Sequence, residues 1–197
     1  MSPIACFTPS IMPAEQLERL FVVRHATLER LMTYVDDLGT TPSPHHTLLI
    51  GPRGSGKTHL ISLVFHRSRR LIEQGANFQI AWLPEDPWTI VSYRHLLSAV
   101  LQALDAESEP HSLDEAESEV RLRVSTRENN PVLILAENID HILNNLGDMG
   151  QQKLRHLLQT EPNLLLIGSS TRLDRNLSSN SRPFFGFFDT IRLKPFS

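Results

Sequence analysis

Short runs of consecutive apolar residues alternate along this chain with stretches in which apolar residues return every third or fourth position. TLLI (47–50), FQIAWL (78–83), PVLILA (131–136), NLLLIG (163–168) and TIRL (190–193) are the runs, and their length and composition predict buried parallel strands. The helical spacing predicts a helix over 14–38, where Leu28, Leu31, Met32 and Val35 share a face. It predicts a second from Lys57 to Ile72, stopping near Gly75, and a third carrying Tyr93, Leu96, Leu97, Val100, Leu101 and Leu104. Leu113, Ala116, Val120 and Val124 form the stripe of a fourth, and a fifth lies around 150–159. Thr40 to His46 and the Pro-rich 84–87 read as loops. Strands and helices in alternation imply an open α/β sheet with helices on both faces and no internal repeat. The expected division is a tail at 1–13 and one α/β domain at 14–197.

Composition narrows the class. A chain of 197 residues with 40% apolar and 21% charged residues can bury one substantial core. No apolar run reaches the roughly 18 to 20 residues that cross a bilayer, and the N-terminus lacks a basic start followed by an apolar stretch, so a cytoplasmic protein is expected. The single cysteine, Cys6, excludes an internal disulfide, and the nine histidines show no metal spacing. A net charge of −3 draws the chain toward neither nucleic acid nor anionic membrane. The acidic stretch within 105–119 reads as a solvated loop and helix face.

Gly51-Pro52-Arg53-Gly54-Ser55-Gly56-Lys57-Thr58 fits G-x-x-x-x-G-K-[ST] between a strand and a helix, the setting that a phosphate-binding P-loop requires. Glycines let the backbone wrap phosphates, and main-chain N–H groups with the helix N-terminus face the negative charge. Lys57 would reach the β- and γ-phosphates of ATP, and the Thr58 hydroxyl would coordinate Mg²⁺. An unoccupied Gly-rich turn explains neither residue.

With this loop, the strand ending Glu-Asn-Ile-Asp and the upstream FVVR (21–24), the chain resembles the AAA+ ATPases, most of all their origin-recognition-complex branch and its bacterial relatives. The resemblance implies a three-layer P-loop NTPase fold. Its five-stranded parallel sheet would have the P-loop strand central, flanked by the strands at 131–136 and 163–168. It places Phe21 to Arg24, and so Val23 and Arg24, beside adenine, although His25 follows where the family has Glu. It covers about residues 14–197 and stops before the helical lid such proteins carry, so the sequence is a fragment or the lid is missing.

In that family the strand at LILAENID (133–140) ends apolar-Asp-Glu-apolar-Asp. Aligned without a gap, Glu137 takes the Mg²⁺-holding aspartate and Asn138 the water-polarising glutamate, and an amide cannot act as general base. A gapped alignment instead makes Glu137 the catalytic carboxylate with Ala136 at the metal position. Asp140 is an alternative base, and a purely structural reading has Glu137 and Asn138 cap the next helix. The resemblance further nominates Ser170 or Thr171 as a γ-phosphate sensor. It nominates Arg182, with rivals Arg172 and Arg175, as an arginine finger acting across a subunit boundary. The phenylalanines of PFFGFF (183–188) read as core packing. The basic run HRSRR (66–70) reads as a solvated helix face or a DNA contact.

Three functions compete. The first is a nucleotide-dependent switch with slow or partner-stimulated Mg-ATP hydrolysis, and the second an efficient motor with a base other than Asn138. The third is a non-hydrolysing scaffold or DNA-binding adaptor, and a kinase is a fourth without an identifiable acceptor pocket. The resemblance implies a homo-oligomer or a protein partner across the nucleotide site, and it alone implies DNA.

Overall fold

A computed structural model describes residues 12–83, 90–104, 112–124, 130–173 and 175–195. Nearly all of the 1–13 tail, with Cys6, the Pro-rich 84–87 and the acidic 105–111 lie outside the described residues. Five strands, β1 (Thr47–Ile50), β2 (Gln79–Trp82), β3 (Val132–Ala136), β4 (Leu164–Ser170) and β5 (Asp189–Arg192), form one parallel sheet ordered β2-β3-β4-β1-β5. The P-loop strand β1 lies inside the sheet, but its neighbours are β4 and β5, and β4 holds the middle position. The expected contact of β1 with the 131–136 strand is thereby corrected, because β3 pairs with β2 and β4.

Alternation along each strand divides the core into two layers. Leu133, Leu135, Leu165 and Ile167 point toward α1 (Ala14–Leu20), α2 (His25–Asp36) and α3 (Lys57–Glu73). Val132, Ile134, Leu164 and Leu166 point toward α4 (Tyr93–Leu104), α5 (Leu113–Arg123) and α6 (Ile139–Thr160). A Ser112–Glu115 capping box starts α5. A one-turn helix α7 (Arg175–Ser178) precedes the phenylalanine segment. There Phe184, Phe187 and Phe188 pack on one another around Gly186 (φ 63°), as the core reading expects, while Phe185 is exposed.

Two expected helices are corrected. The span 14–38 is two helices, because the chain breaks at 21–24 where Arg24 adopts the left-handed conformation (φ 75°). The helix expected around 150–159 begins at Ile139 and runs through a break at Gly147 (φ 61°, ψ 179°), a conformation open essentially to glycine alone.

The Pro-rich loop ends in a buried histidine. His46 Nδ1 accepts a hydrogen bond from the Leu166 N–H at 3.1 Å, so the proton sits on Nε2, which donates to the Leu158 carbonyl at 3.1 Å. The ring stacks on Phe187. Burial lowers its pKa from 6.5 to about 4, only partly opposed by the Leu158 bond. Above pH 6.5 both folded and unfolded chains hold this ring neutral. Below it the unfolded chain binds a proton that the folded one refuses, and stability should fall by up to about 1.4 kcal/mol per pH unit until about pH 4. Urea midpoints at pH 7, 6 and 5 check this, and His46→Phe should flatten the slope. An unchanged slope in that variant would assign the effect elsewhere, His66 being the other histidine among the described residues whose pKa burial lowers.

Candidate functional site

The loop 51–56 joins the C-terminal end of β1 to the first residue of α3, so the main-chain N–H groups of the helix N-terminus converge on its hollow. Gly54 and Gly56 stand at φ 78° and 82°, which L side chains adopt only at a cost. Gly51 is glycine for a different reason: a Cβ there would lie 2.6 Å from the Leu193 carbonyl and 2.6 Å from Ser55 Oγ. Its N–H donates to the Ser170 carbonyl at 3.2 Å, fixing the loop to the tip of β4. Pro52, Arg53 and Gly54 form the exposed crest.

Lys57 is buried and donates from Nζ to the Gly51 and Pro52 carbonyls at 2.6 and 2.9 Å. Burial lowers its pKa, Glu137 and Asp140 oppose that, and Arg53 adds to it. Both carboxylates therefore act on the lysine through space. Thr58 Oγ1 donates to Glu137 Oε2, which joins the start of α3 to the end of β3. Glu137 is 3% exposed, and the step from β3 into α6 packs over Gly168, where a Cβ would lie 3.2 Å from Ile139 Cδ1.

Asn138 follows in the left-handed conformation (φ 51°, ψ 43°) as the residue before α6, and its side chain makes no cap bond to that helix. The capping reading is thereby corrected for Asn138, which occupies the N-cap position by backbone alone. Asparagine is one of the few residues that enters this region readily. Asp140, two residues on, is 3% exposed, and its Oδ1 has no hydrogen-bond partner among the described residues.

These groups fit a triphosphate with a divalent cation. Lys57 holds two backbone carbonyls that an anion could displace. Ser55 Oγ is buried without a hydrogen-bond partner among the described residues, and a hydroxyl and a carboxylate already meet at Thr58 and Glu137. Their contact is the one expected if Glu137 occupies the metal-holding position.

The remaining expected residues lie in three places. Ser170 is fully buried at the tip of β4, and its hydroxyl donates to the Arg172 carbonyl at 2.6 Å, closing a turn beside Gly51. Thr171 follows it, half-buried. Val23 is 47% exposed at the break between α1 and α2, while Phe21 is buried against the rings of His25 and His59. His59 follows Thr58 and donates from Nε2 to the Leu17 carbonyl at 2.9 Å, so α1 is fixed to the P-loop helix and Phe21 packs on the same ring. Arg24 reaches from there to the Lys194 carbonyl beyond β5. Arg182 pairs with Asp148 of α6.

The basic run 66–70 is largely engaged within the chain. Arg67 makes a two-pronged contact with Glu18 at 3.1 Å, Arg70 lies 3.8 Å from the same carboxylate, and Arg69 faces Glu73 at 3.9 Å. Arg67 holds the Glu18 carboxyl below its ordinary pKa. No cluster of three metal-ligating side chains occurs among the described residues, and none of their helices is long and apolar enough to cross a membrane.

Comparison with known proteins agrees with this geometry. A family model described as an AAA ATPase domain matches residues 20–189. Among solved structures, the Aeropyrum pernix ORC2 protein in ADPNP-ADP complexes superposes with a TM-score of 0.67 at 15% identity, over 88% of this chain and 48% of that one. The Aeropyrum pernix ORC1 protein in complex with DNA gives 0.66 at 19% identity, over 89% and 47%. Drosophila ORC bound to DNA gives 0.65 at 20% identity, over 92% and 44%. At these identities the likeness is one of fold, and the chain spans about half the length of each. A search of curated protein sequences gave no significant match.

Proposed function

The chain belongs to the AAA ATPase domain family, and on that premise we propose that it is a Mg-ATP-binding switch whose hydrolysis is slow or stimulated by a partner. The observation that carries this reading is the bond between Thr58 and Glu137 with an amide, Asn138, as the next residue.

The main-chain N–H groups from Arg53 to the start of α3 would wrap the phosphates, Pro52 having none to give, and Lys57 would exchange its two carbonyl partners for β- and γ-phosphate oxygens. Thr58 and Glu137 would hold the cation, Glu137 serving with one extra methylene in place of an aspartate. Val23 and Arg24 flank the base. When bound, Mg-ATP supplies the scissile phosphoanhydride and the charge that offsets its oxygens. Ser170 would act as the γ-phosphate sensor by turning its hydroxyl from the Arg172 carbonyl. Asn138 can orient a water through its amide, but it has no basic site at neutral pH, so proton removal, the step worth about 10²- to 10⁴-fold, goes unassisted. Arg182 acts in a homo-oligomer or with a protein partner, placing a guanidinium on a neighbouring copy's γ-phosphate. The setting is DNA-associated, a reading supported by the DNA complexes of two of the similar structures, and cytoplasmic, as the sequence leads one to expect.

A second reading has one observation in its favour. Asp140 is a buried carboxylate that acts electrostatically on Lys57, and an efficient motor could use it as its base.

Equilibrium binding of ATP with and without Mg²⁺, together with steady-state phosphate release, tests both readings. The native chain should bind Mg-ATP and turn it over slowly. Lys57→Ala should weaken binding by about 10- to 100-fold, the worth of one charge-assisted contact. A native chain that fails to bind Mg-ATP ends the proposal. Fast native turnover that Asp140→Asn abolishes replaces the switch by the motor.

A further inference from the structure

The segment from α7 to Phe184 is seated on one face of α6. Asp148, Gln151 and Arg155 step by three and four residues beyond the break at Gly147, the spacing that lines side chains along one helix face, and Asn144 lies just before that break. Each of the four touches that segment. Asn176 Nδ2 donates to Asn144 Oδ1 at 2.9 Å, and Gln151 Nε2 donates to Asn176 Oδ1 at 3.0 Å. Arg182 Nη1 pairs with Asp148, and Arg155 Nη1 donates to the Pro183 carbonyl.

The stripe also spans the break at Gly147. Gln151 donates to the Leu143 carbonyl at 2.8 Å, satisfying an acceptor that the interrupted helix leaves over. Asn144 donates to the Asp140 carbonyl at 2.8 Å, in the first turn of the helix that starts directly after Glu137 and Asn138. A continuous run of amides therefore leads from the nucleotide end of α6 to α7. Asn176 and Gln151 are 4% and 1% exposed, and side chains buried in mutual hydrogen bonds have one arrangement open to them. Asp148, at 67% side-chain exposure, meets Arg182 at the surface where a second copy could approach.

We infer that this stripe is the seat that sets the position of Arg182 for the phosphates of a second copy. Asn176 is the positioning residue that registers the segment on α6, and Asp148 is the one that orients the guanidinium. The inference rests on the trans role of Arg182 proposed above. A guanidinium carries five N–H donors, and the pair with Asp148 engages Nη1, so orientation by the carboxylate is compatible with contact to an anion. The groove beside it is lined by Arg155, His156, Gln159, Asn180 and Ser181, cationic and neutral polar side chains suited to phosphate.

Turnover per subunit, measured at saturating Mg-ATP over a range of protein concentrations, tests this on the full chain. The native rate should rise with concentration to a plateau, and Arg182→Ala should stay at the low-concentration rate. Asp148→Asn and Asn176→Leu should lower the plateau by about 10- to 100-fold, the cost of a reacting group misplaced by about 1 Å. The half-rise concentration and the ATP affinity should stay within about two-fold of native, a pattern that loss of folding or of assembly would not give. If circular dichroism shows Asn176→Leu unfolded, the surface variant Asp148→Asn decides alone. Native plateaus in both variants, with the rise lost in Arg182→Ala, overturn the positioning role and leave the trans role standing. A shifted half-rise with an unchanged plateau also overturns it, because the stripe would then serve assembly. A native rate independent of concentration, or an Arg182→Ala variant that behaves as native, overturns the trans role and this inference with it.

Discussion

Asn138→Glu should raise ATP turnover by about 10²- to 10⁴-fold, the usual worth of a positioned general base. The native backbone already delivers residue 138 next to Glu137, whose carboxylate accepts from Thr58, so the new carboxylate would stand beside that one. The left-handed conformation at 138 sets a cost of about 1 kcal/mol for glutamate in place of asparagine, which should lower the melting temperature by roughly 2–4 °C. Asn138→Gly separates the two effects, since glycine accepts that conformation and carries no base. It should melt no lower than Asn138→Glu and remain slow. Phosphate release at saturating Mg-ATP, with Lys57→Ala as the blank, gives the rates. Equal turnover in the native chain and Asn138→Glu would remove Asn138 from the hydrolytic position and leave Asp140 as the residue to pursue.

Gly51→Ala should be the most destabilising change within the phosphate loop. The added methyl would meet the Leu193 carbonyl and Ser55 Oγ at 2.6 Å and Leu193 Cβ at 3.0 Å. Relief requires β5 to withdraw from β1, stretching the 2.7 Å bond from the Leu193 N–H to the Ile50 carbonyl. Overpacking of this kind costs about 1–3 kcal/mol, or roughly 2–12 °C for a chain of this size. Gly54→Ala is the comparison: nothing lies within 4 Å of its Cβ, and only the left-handed backbone is strained, at about 1 kcal/mol. Calorimetry of both variants checks the order. A Gly54→Ala that melts lower than Gly51→Ala would show that backbone conformation, and not the approach of β5, governs this loop.

How far the residues foretold this molecule depends on the kind of signal they carry. The runs of β1, β3 and β4 were legible because inner strands of a parallel sheet covered on both faces demand apolar side chains at every position, whereas the edge strands β2 and β5 are partly exposed and carry polar residues. The P-loop was legible because its chemistry requires fixed residues at fixed spacing. The break at 21–24 was hidden, since an arginine in the left-handed conformation leaves no glycine or proline to mark it. The first half of α6 was hidden too. Asn144, Asn145, Gly147 and Gly150 all weaken a helical reading, and Asn144 is there to hold Asn176, a partner that sequence spacing cannot announce. The roles of 144, 148, 151 and 155 came only with the segment seated on them, because their partners at 176, 182 and 183 are distant in sequence. His46 read as a loop residue because its acceptor and donor come from distant strands and helices. The neighbours of β1 depend on long-range pairing, which local pattern does not encode.

That pairing also bears on how the chain is made. β1 completes its pairing only with β4 and β5, and the bond from Leu166 to His46 already joins residues about 120 apart. At a synthesis rate of about 5–20 residues per second, the newly made phosphate loop waits on the order of 10 s for the strands that brace it. During that interval Leu48, Leu49 and Ile50 are an unpaired apolar edge, the kind of surface that chaperones shield and aggregation exploits. The phosphate loop is therefore braced on both sides only once the last strand of the sheet has been made.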